Sequence, residues 1–328
     1  MKKIAVIIAF VFCSFTSSAQ LLRTVDEYLC NMYYKIDYDT VYIGRPQGTK
    51  WTLALRTFVD WSTFKVSGVE DGKQYEFHLR SEINPRISIY AGYLGFGASL
   101  SWSYKKLMGQ TEPDWSLKFN NYGNRFGFEL SLAQINSMNG TFSYHEGPFT
   151  IGIPLPRDFV QQTYMYANCY YAINNKKFSY PAPFTHSYIQ KHSAGSLLLG
   201  GSLNLSVTTI GDSTQNTELI RVINGSLGFG VGYGYNLVLP DNWLIHASVL
   251  PYLVIGGGTQ YRIADEKEES SAAEFPESFI VGRAAVVHTI NRWFFGVNGQ
   301  LNYYNILCDE IRTGNSQWEL IGFVGVRL

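Results

Sequence analysis

Large apolar side chains recur at every second position over long stretches of this chain. In the run from Leu94 to Tyr104 the apolar residues all take one parity, and the residues between them are only Gly and Ser. The run from Leu227 to Tyr235 repeats the arrangement with Gly at every intervening position. Because successive side chains of a β-strand point to opposite faces, this period predicts strands with one apolar face and one small or polar face.

Similar alternation continues through most of the chain after residue 50. It predicts about twelve strands, at about residues 50–61, 75–91, 94–104, 119–133, 139–147, 164–173, 195–208, 221–238, 243–256, 278–289, 293–306 and 316–328. Short and long connections should alternate in a membrane barrel, and the connection at about 174–194 is long where a short turn is expected. About ten or fourteen strands therefore stay open as alternatives.

The length of the apolar stretches indicates which kind of β-protein this is. At about ten residues they match a tilted strand that crosses a bilayer, whereas the usual strand has about five or six. Trp and Tyr lie near the ends of these stretches, as in the aromatic belts at membrane interfaces. The predicted fold is all-β, a closed antiparallel transmembrane β-barrel over residues 50–328. A secreted β-sandwich, whose strands also alternate, is the alternative.

Charge is scarce and balanced. Lys+Arg 26 and Asp+Glu 26 cancel, and charged residues make up 16% of the chain, against about 25% in a typical soluble domain. A neutral chain of this kind has no basic surface for nucleic acid, so we expect no nucleic-acid partner. Cys and His spacings typical of metal sites and nucleotide-binding Gly motifs are missing from the sequence, so no metal and no cofactor are expected.

The N-terminus is typical of an export signal. A basic pair at Lys2-Lys3 precedes the apolar run 4–12, and the small residues 17–19 fit a cleavage site. We predict a signal peptide over residues 1–19, Sec-type export, and a location in the outer membrane of a Gram-negative bacterium, with outer-membrane lipid as the surrounding partner. Lipidation at Cys13 is an alternative.

Residues 20–49 precede the predicted barrel. Five apolar residues within this segment recur at helical spacing: Leu21, Leu22, Val25, Leu29 and Met32. This pattern predicts a short N-terminal periplasmic helix that either caps the opening of the barrel or packs against its wall.

A group of charged residues takes the parity predicted to face the lumen. Its members are Arg56, Asp60, Glu76, His78, Arg80, Glu82, Arg86, Arg125, Glu129, Glu319 and Arg327. Charges of this kind order polar or charged solutes inside a channel, so we predict that they line the lumen and bind solute. Cross-strand ion pairs that brace the wall are the alternative reading of the same residues.

The long connection at about 174–194 is the second part of the predicted site. It carries donors and an aromatic ring at Lys177, Tyr180, Gln190, Lys191 and Ser193. Long structured connections are often functional, so this one is either an elaborated turn or a stretch folded into the lumen.

These features together favour a passive channel or transport protein for a small polar solute, without catalytic residues. A lipid-modifying enzyme is one alternative, since His246 and Ser248 lie two apart on a predicted strand and share a face. No third member of a triad is evident in the sequence. A structural or assembly-partner barrel is the other alternative.

Three sequence blocks resemble a known family. They are Asp-Thr-Val-Tyr-Ile at 39–43, Asn-Asn-Lys-Lys-Phe-Ser-Tyr-Pro-Ala at 174–182, and Gln-Lys-His-Ser-Ala-Gly-Ser at 190–196. The chain resembles the domain of unknown function 4421 family, exported proteins typical of Bacteroidetes. The resemblance implies an outer-membrane, barrel-like protein without an assigned activity, and it supplies no catalytic residues.

Overall fold

The computed structural model describes residues 19–46, 48–70, 73–83, 85–104, 114–146, 149–212, 217–263, 269–272, 277–308 and 311–328. The predicted signal peptide lies almost wholly outside these residues and stays a prediction. The described part contains one long helix, α1 (Ala19–Tyr34), where the apolar spacing predicted one. This helix belongs to a unit of its own, Met1–Asp37, separate from the unit Tyr38–Leu328.

Strands make up most of the second unit. They are β1 (Ile43–Gly44), β2 (Trp51–Glu70), β3 (Lys73–Ser81), β4 (Arg86–Tyr93), β5 (Phe96–Ser103), β6 (Trp115–Tyr122), β7 (Phe126–Glu146), β8 (Phe149–Ala172), β9 (Ile189–Gln190), β10 (Ala194–Asp212), β11 (Thr217–Leu239), β12 (Trp243–Ile263), β13 (Glu269–Ala272), β14 (Glu277–Ile290), β15 (Trp293–Cys308) and β16 (Ile311–Arg327). Within the described ranges, no helix has the length and apolar character needed to cross a membrane.

Twelve strands form a closed antiparallel barrel, which confirms the predicted fold class. Their order is β2, β4, β5, β6, β7, β8, β10, β11, β12, β14, β15 and β16, and β16 pairs with β2 to close the ring. The amides of Lys50 and Trp51 donate to the carbonyl of Leu328 at 2.8 and 2.9 Å. We call this end of the barrel the termini end and the opposite end the far end.

The outer wall is apolar over a band of membrane thickness. Trp51 and Trp61, both exposed, lie ten residues apart on β2. Trp293 and Tyr303 have the same spacing on β15 and are also exposed. At about 3.3 Å per residue and a tilt of about 45°, ten residues span about 23 Å, close to the apolar band of about 25 Å in outer-membrane barrels.

Glycines on the inner wall make room for large side chains. On β11 the apolar residues from Leu227 to Tyr235 are exposed and the glycines between them face inward. A Cβ atom at Gly234 would lie 3.1 Å from the ring of Phe178 and 3.2 Å from the side chain of Leu198. The glycine-rich face predicted from the sequence therefore packs against bulky groups inside the barrel.

The wall changes its strand order towards the far end. There β3 pairs with β2 on one side and with β7 on the other, above the shorter strands β4, β5 and β6. Asp114, which precedes β6, lies next to β7, because the amide of Asn136 donates to Asp114 Oδ1 at 2.7 Å. The amide of Tyr104 also donates to the carbonyl of Pro85 at 3.0 Å.

Three predicted strands have wrong bounds, although the number of barrel strands is right. The predicted strand 75–91 covers two strands, because β3 ends at Ser81 and β4 begins at Arg86. The predicted strand 119–133 contains a turn, because β6 ends at Tyr122 and β7 begins at Phe126. The predicted strand 139–147 continues β7 beyond two register shifts between Ile135 and Gly140. The prediction thus merged β6 with the first part of β7 and counted the rest of β7 as a strand of its own, so the two errors leave the total unchanged.

The long connection between β8 and β10 folds into the lumen at the termini end. Residues 173–193 lie there together with residues 38–46, and β1 pairs with β9 through Ile43 opposite Gln190. We call these two segments the plug. Its buried side chains pack against inward residues all round the wall, from Phe58 on β2 to Phe294 on β15. Of the two predicted possibilities for this connection, the stretch folded into the lumen is the one observed.

Candidate functional site

Gln190 organises the plug from within. Its side chain is buried, and Nε2 donates to the carbonyls of Lys177 at 2.6 Å and His192 at 2.8 Å. Its Oε1 accepts from the amide of Ser179 at 2.8 Å and from Asn236 Nδ2 of β11 at 3.0 Å. One carboxamide therefore ties three points of the plug to each other and to the wall.

Wall side chains hold the plug mainly through its backbone carbonyls. Asn236 Nδ2 also donates to the carbonyl of Ser179 at 2.8 Å, and Arg327 Nε donates to the carbonyl of His186 at 2.9 Å. Arg56 lies over the ring of Tyr90 at 3.8 Å, and it reaches the carbonyl of Phe184 at 3.5 Å. The predicted lumen residue Arg56 thus contacts the plug.

The rim of the plug is fixed at the termini end. Arg125 Nε donates to Asn175 Oδ1 at 3.3 Å, so Arg125 lies at this rim, where it is exposed. Lys191 Nζ donates to the carbonyl of Thr40 at 2.9 Å, which joins the two plug segments. Ser193 Oγ accepts from a wall amide at 2.9 Å.

Among the described residues of the plug, His186 is the most buried one with a titratable side chain. Its ring is 1% exposed and lies 4.0 Å from the ring of Phe294. Burial, together with the nearby charges of Arg327 and Arg56, holds the pKa of His186 well below its usual range. The imidazole is therefore neutral in the folded protein at ordinary pH.

A chain of three hydrogen-bonded side chains lies where the plug meets the wall. Asn236 Oδ1 is 2.7 Å from His246 Nδ1, and His246 Nε2 is 3.0 Å from Ser248 Oγ. Asn236 and His246 face each other on neighbouring strands. All three are buried, and the rings of Tyr180 and Phe184 lie 5.4 and 5.1 Å from the imidazole.

Three ion pairs lie in the lumen, one between neighbouring strands and two between distant strands of the wall. Arg86, which is 1% exposed, lies 3.0 Å from Asp60. Arg283 lies 3.2 Å from Glu129, which also accepts a hydrogen bond from the hydroxyl of Tyr122. A third pair joins Lys118 to Glu319. These contacts pair charges of opposite sign within the lumen.

Three small cavities lie in series along the lumen. The far cavity, of about 50 Å³, shares Tyr164, Tyr166 and Gln317 with the middle cavity, of about 30 Å³. The middle cavity shares Glu129 with the plug cavity, of about 20 Å³, whose lining includes Tyr180 of the plug. The volumes of these cavities therefore decrease from the far end towards the plug.

The predicted site residues fall into separate groups. Arg56, Arg86 and Glu129 face the lumen, as predicted. Tyr180 and Gln190 are buried within the plug. Lys177, Lys191 and Arg125 are exposed at the termini end, where the ammonium of Lys177 lies 5.0 Å from the ring of Tyr42.

Three predicted lumen residues lie on the outer face of β3 instead. His78 and Arg80 are exposed while Leu79 between them is buried, and Glu76 shares their parity. The predicted inward direction of Glu76, His78 and Arg80 is therefore wrong. The reason is that β3 ends at Ser81 and β4 begins at Arg86, and the inward parity is odd on β3 but even on β4. Glu82 follows the end of β3 and is half-buried.

Several central residues were missed from the sequence. Lys118 and Arg283 take part in the ion pairs, and Asn236 connects His246 to the plug. Lys118 was missed together with the β6 strand that carries it. Asn236 lies four residues before the turn at 240–242, and counting back from that turn places it opposite His246, so the sequence did hold a signal.

The fold and the site define a class of protein: a closed β-barrel with an apolar outer belt and a polar lumen that is plugged at one end. Residues 37–327 match one family, the domain of unknown function DUF4421. The chain belongs to that family, as its sequence blocks indicated. No curated protein matches the chain.

Solved structures share the barrel at low sequence identity. The translocator domain of the autotransporter NalP from Neisseria meningitidis is 11% identical, with 96% of this chain and 98% of that chain covered and a TM-score of 0.36. The outer membrane protease OmpT from Escherichia coli is 9% identical, with 90% and 100% covered and a TM-score of 0.45. The outer membrane protein OprG from Pseudomonas aeruginosa is 13% identical, with 86% and 98% covered and a TM-score of 0.29. At such values the likeness concerns the fold alone.

Proposed function

We propose that the protein is a gated outer-membrane passage for a small polar solute, held closed by the plug. The observation that carries this proposal is the series of three cavities, which runs through the lumen and stops at Tyr180. A barrel of about eight strands is filled by side chains and one of about sixteen leaves a channel, so twelve strands leave room that a plug can close.

The way the plug is held supports a gate. Arg327, Asn236 and Arg56 bind backbone carbonyls of the plug rather than a continuous sheet edge. Each such contact contributes little on its own, about 0.5–1.5 kcal/mol net for a neutral pair and about 1.5–3 kcal/mol for a charged donor. Apart from these hydrogen bonds the plug is held by apolar packing against the wall. A segment without a shared sheet edge is able to leave as a unit, whereas a strand of the wall is not.

Export and location belong to the same proposal. The apolar band between Trp51 and Trp61 fits a bilayer, and the leader at residues 1–19 fits Sec-type export to a Gram-negative outer membrane. With both chain ends on one side, the termini end and the plug face the periplasm, and the far cavity faces the outside.

Proteoliposome swelling tests the proposal. Asn174 donates to the carbonyl of Gly195 at 2.9 Å, so a short turn can join β8 to β10. Replacing residues 175–193 with Gly-Asn-Gly should give a folded barrel that lets small neutral solutes through at least tenfold faster than the wild type. Lys176→Ala, on an exposed residue of the plug, is the matched control and should leave the rate unchanged.

Heat-modifiable migration in gel electrophoresis shows whether each variant has folded. If the folded replacement variant remains as tight as the wild type, the passage hypothesis is wrong.

A hydrolase is the second candidate. Ser248 would be the nucleophile, His246 the base and Asn236 the amide that orients the base, and the three lie within hydrogen-bond distance of one another in that order. The plug covers this chain of residues, so activity would require the plug to leave. Ester hydrolysis by the plug-replaced variant, lost in Ser248→Ala, would favour the hydrolase. Equal background rates in the two would leave the three residues as an anchor of the plug.

A further inference from the structure

Unpartnered polar atoms gather around the far cavity. Among the described residues, Thr313 Oγ1, Asn315 Oδ1, Gln317 Nε2 and Asn224 Nδ2 are buried and have no hydrogen-bond partner in the protein. All four residues line this one cavity. Thr313 is 7% and Gln317 9% exposed, so bulk water does not solvate them freely. Leaving a buried polar atom unpaired costs about 1–3 kcal/mol, so a cluster of four indicates a missing partner.

The mixture of donors and acceptors restricts that partner. Gln317 Nε2 and Asn224 Nδ2 can only donate, whereas Asn315 Oδ1 can only accept, and Thr313 Oγ1 does either. A carboxylate or phosphate accepts but leaves Asn315 unpaired. An ammonium donates but leaves both amide nitrogens unpaired. Hydroxyl groups, which donate and accept, fit all four atoms.

The rest of the lining agrees with a neutral ligand. None of the described residues that line the far cavity is charged, in contrast to the middle cavity with Asp60, Lys118 and Glu319. Tyr164 and Tyr166 place two rings, 4.8 Å apart, on one side. Such rings pack against the C–H faces of a polyol or sugar while its hydroxyls reach the amides.

Some other polar groups of the same lining are already paired within the wall, whereas the buried hydroxyl of Tyr166 is a fifth unpartnered group among the described residues there. Asn204 accepts from the hydroxyl of Tyr304 at 2.8 Å and donates to Ser226 at 3.3 Å. Thr259 Oγ1 donates to Asn224 Oδ1 at 2.8 Å, which orients that amide and leaves its nitrogen for a ligand. The wall thus orients Asn224 Nδ2 without accepting a hydrogen bond from it.

We propose that the far cavity is a binding site for hydroxyl groups of a small neutral solute, a polyol or one edge of a monosaccharide, since about 50 Å³ does not enclose a whole sugar. This names the solute class of the passage proposed above and rests on that function for its role, while the binding itself is tested separately. Gln317 also lines the middle cavity, so a solute bound there contacts the next space along the lumen.

Calorimetric titration of the intact wild-type protein tests this site with two matched sets of probes. One set is glycerol, glycerate and serinol, and the other is glucose, glucuronate and glucosamine. In at least one set the neutral member should bind at least tenfold more tightly than its anionic and cationic analogues. Saturable binding of neither neutral probe, or equal binding of the charged analogues, overturns the proposal.

Two variants locate the binding. Gln317→Leu and Thr313→Val should each weaken binding of the neutral probe about tenfold, since each removes one hydrogen bond to the ligand. Gln260→Leu makes the same change as Gln317→Leu at an exposed position next to the cavity residue Thr259, and it should bind like the wild type. Unchanged binding in both cavity variants, each folded by heat-modifiable migration, overturns the assignment to this cavity.

The failures of the two proposals are distinguishable. Flux through the plug-replaced barrel without binding of the neutral probes contradicts the solute class and leaves the passage standing. Binding of the probes without flux in that variant contradicts the passage and leaves the site standing.

Discussion

Asn236 Nδ2 of β11 donates to Gln190 Oε1 of the plug at 3.0 Å, while Asn236 Oδ1 lies 2.7 Å from His246 Nδ1. This one buried carboxamide therefore connects the barrel wall, the residue that organises the plug and the buried imidazole. The same amide also donates to the carbonyl of Ser179 at 2.8 Å, so Asn236 contacts the plug at two residues.

Asn236→Ala should loosen the plug without opening the barrel wall. It leaves the carbonyl of Ser179 and the ring of His246 without their partner, which should lower the free energy of unfolding by about 2–4 kcal/mol. Limited proteolysis should cut within residues 173–193 much faster than in the wild type. Gln260→Ala on the outer wall serves as control. Equal cleavage rates for the two variants would contradict this role.

The Arg86–Asp60 pair should show the cost of an uncompensated buried charge. Asp60→Asn leaves the guanidinium of Arg86, which is 1% exposed, without its carboxylate, and should destabilise the barrel by about 3 kcal/mol. Combining Asp60→Asn with Arg86→Met should restore most of this loss, because no charge is then left unpaired. Denaturant titration in micelles measures both, and a double variant as unstable as the single one would refute the explanation.

Thr313 and Thr208 provide a matched comparison for the unpartnered atoms of the far cavity. Thr208 Oγ1 accepts from Gln162 at 3.1 Å, so Thr208→Val should cost about 1–2 kcal/mol of unfolding free energy. Thr313→Val removes a hydroxyl that has no partner among the described residues, and should leave the stability within about 0.5 kcal/mol of the wild type or raise it. A large loss in Thr313→Val would mean that its hydroxyl is bonded within the protein.

Acidification should weaken the plugged state through His186. Its pKa is lowered in the folded protein by burial and by Arg327 and Arg56, whereas the unfolded chain binds a proton at about pH 6.5. Below about pH 6.5 the unfolded state therefore binds more protons than the folded state. As the pH is lowered from there, the free energy of unfolding falls by about 1.4 kcal/mol per pH unit. Above about pH 6.5 this group adds no pH dependence.

His186→Asn isolates this contribution. The backbone φ angle of His186 is 59°, a left-handed conformation that Asn tolerates. Between about pH 6.5 and 5, the slope of unfolding free energy against pH should be smaller in the variant by an amount that corresponds to up to one proton. The same slope in variant and wild type, by denaturant titration at each pH, would show that other groups carry it.

The fold was largely predictable because the outer face repeats a simple rule. Leu100 and Trp102 face outward and Ser99 and Ser101 inward, as the alternation requires. The rule failed only where the backbone departs from a regular strand. The inward parity differs between β3, which ends at Ser81, and β4, which begins at Arg86, although the prediction carried one parity through both. The bulges between Ile135 and Gly140 were taken for a turn.

The site was less predictable because it depends on contacts between distant residues. The polar composition of 174–194 indicated a special segment, but nothing local to Gln190 shows that it meets Asn236. The partner of Arg86 depends on register across strands, and so does the pairing of Lys118 with Glu319. The cluster at Thr313, Asn315 and Gln317 alternates like any inner wall, and only the packing shows that it lacks partners.

Current through single barrels in planar bilayers tests most directly whether residues 173–193 close the lumen. Wild-type protein should give no steady current, whereas the barrel with Gly-Asn-Gly in place of 175–193 should give a stable conductance at the same voltage and salt. A steady wild-type conductance equal to that of the variant would contradict the account, and so would silence from a correctly folded variant.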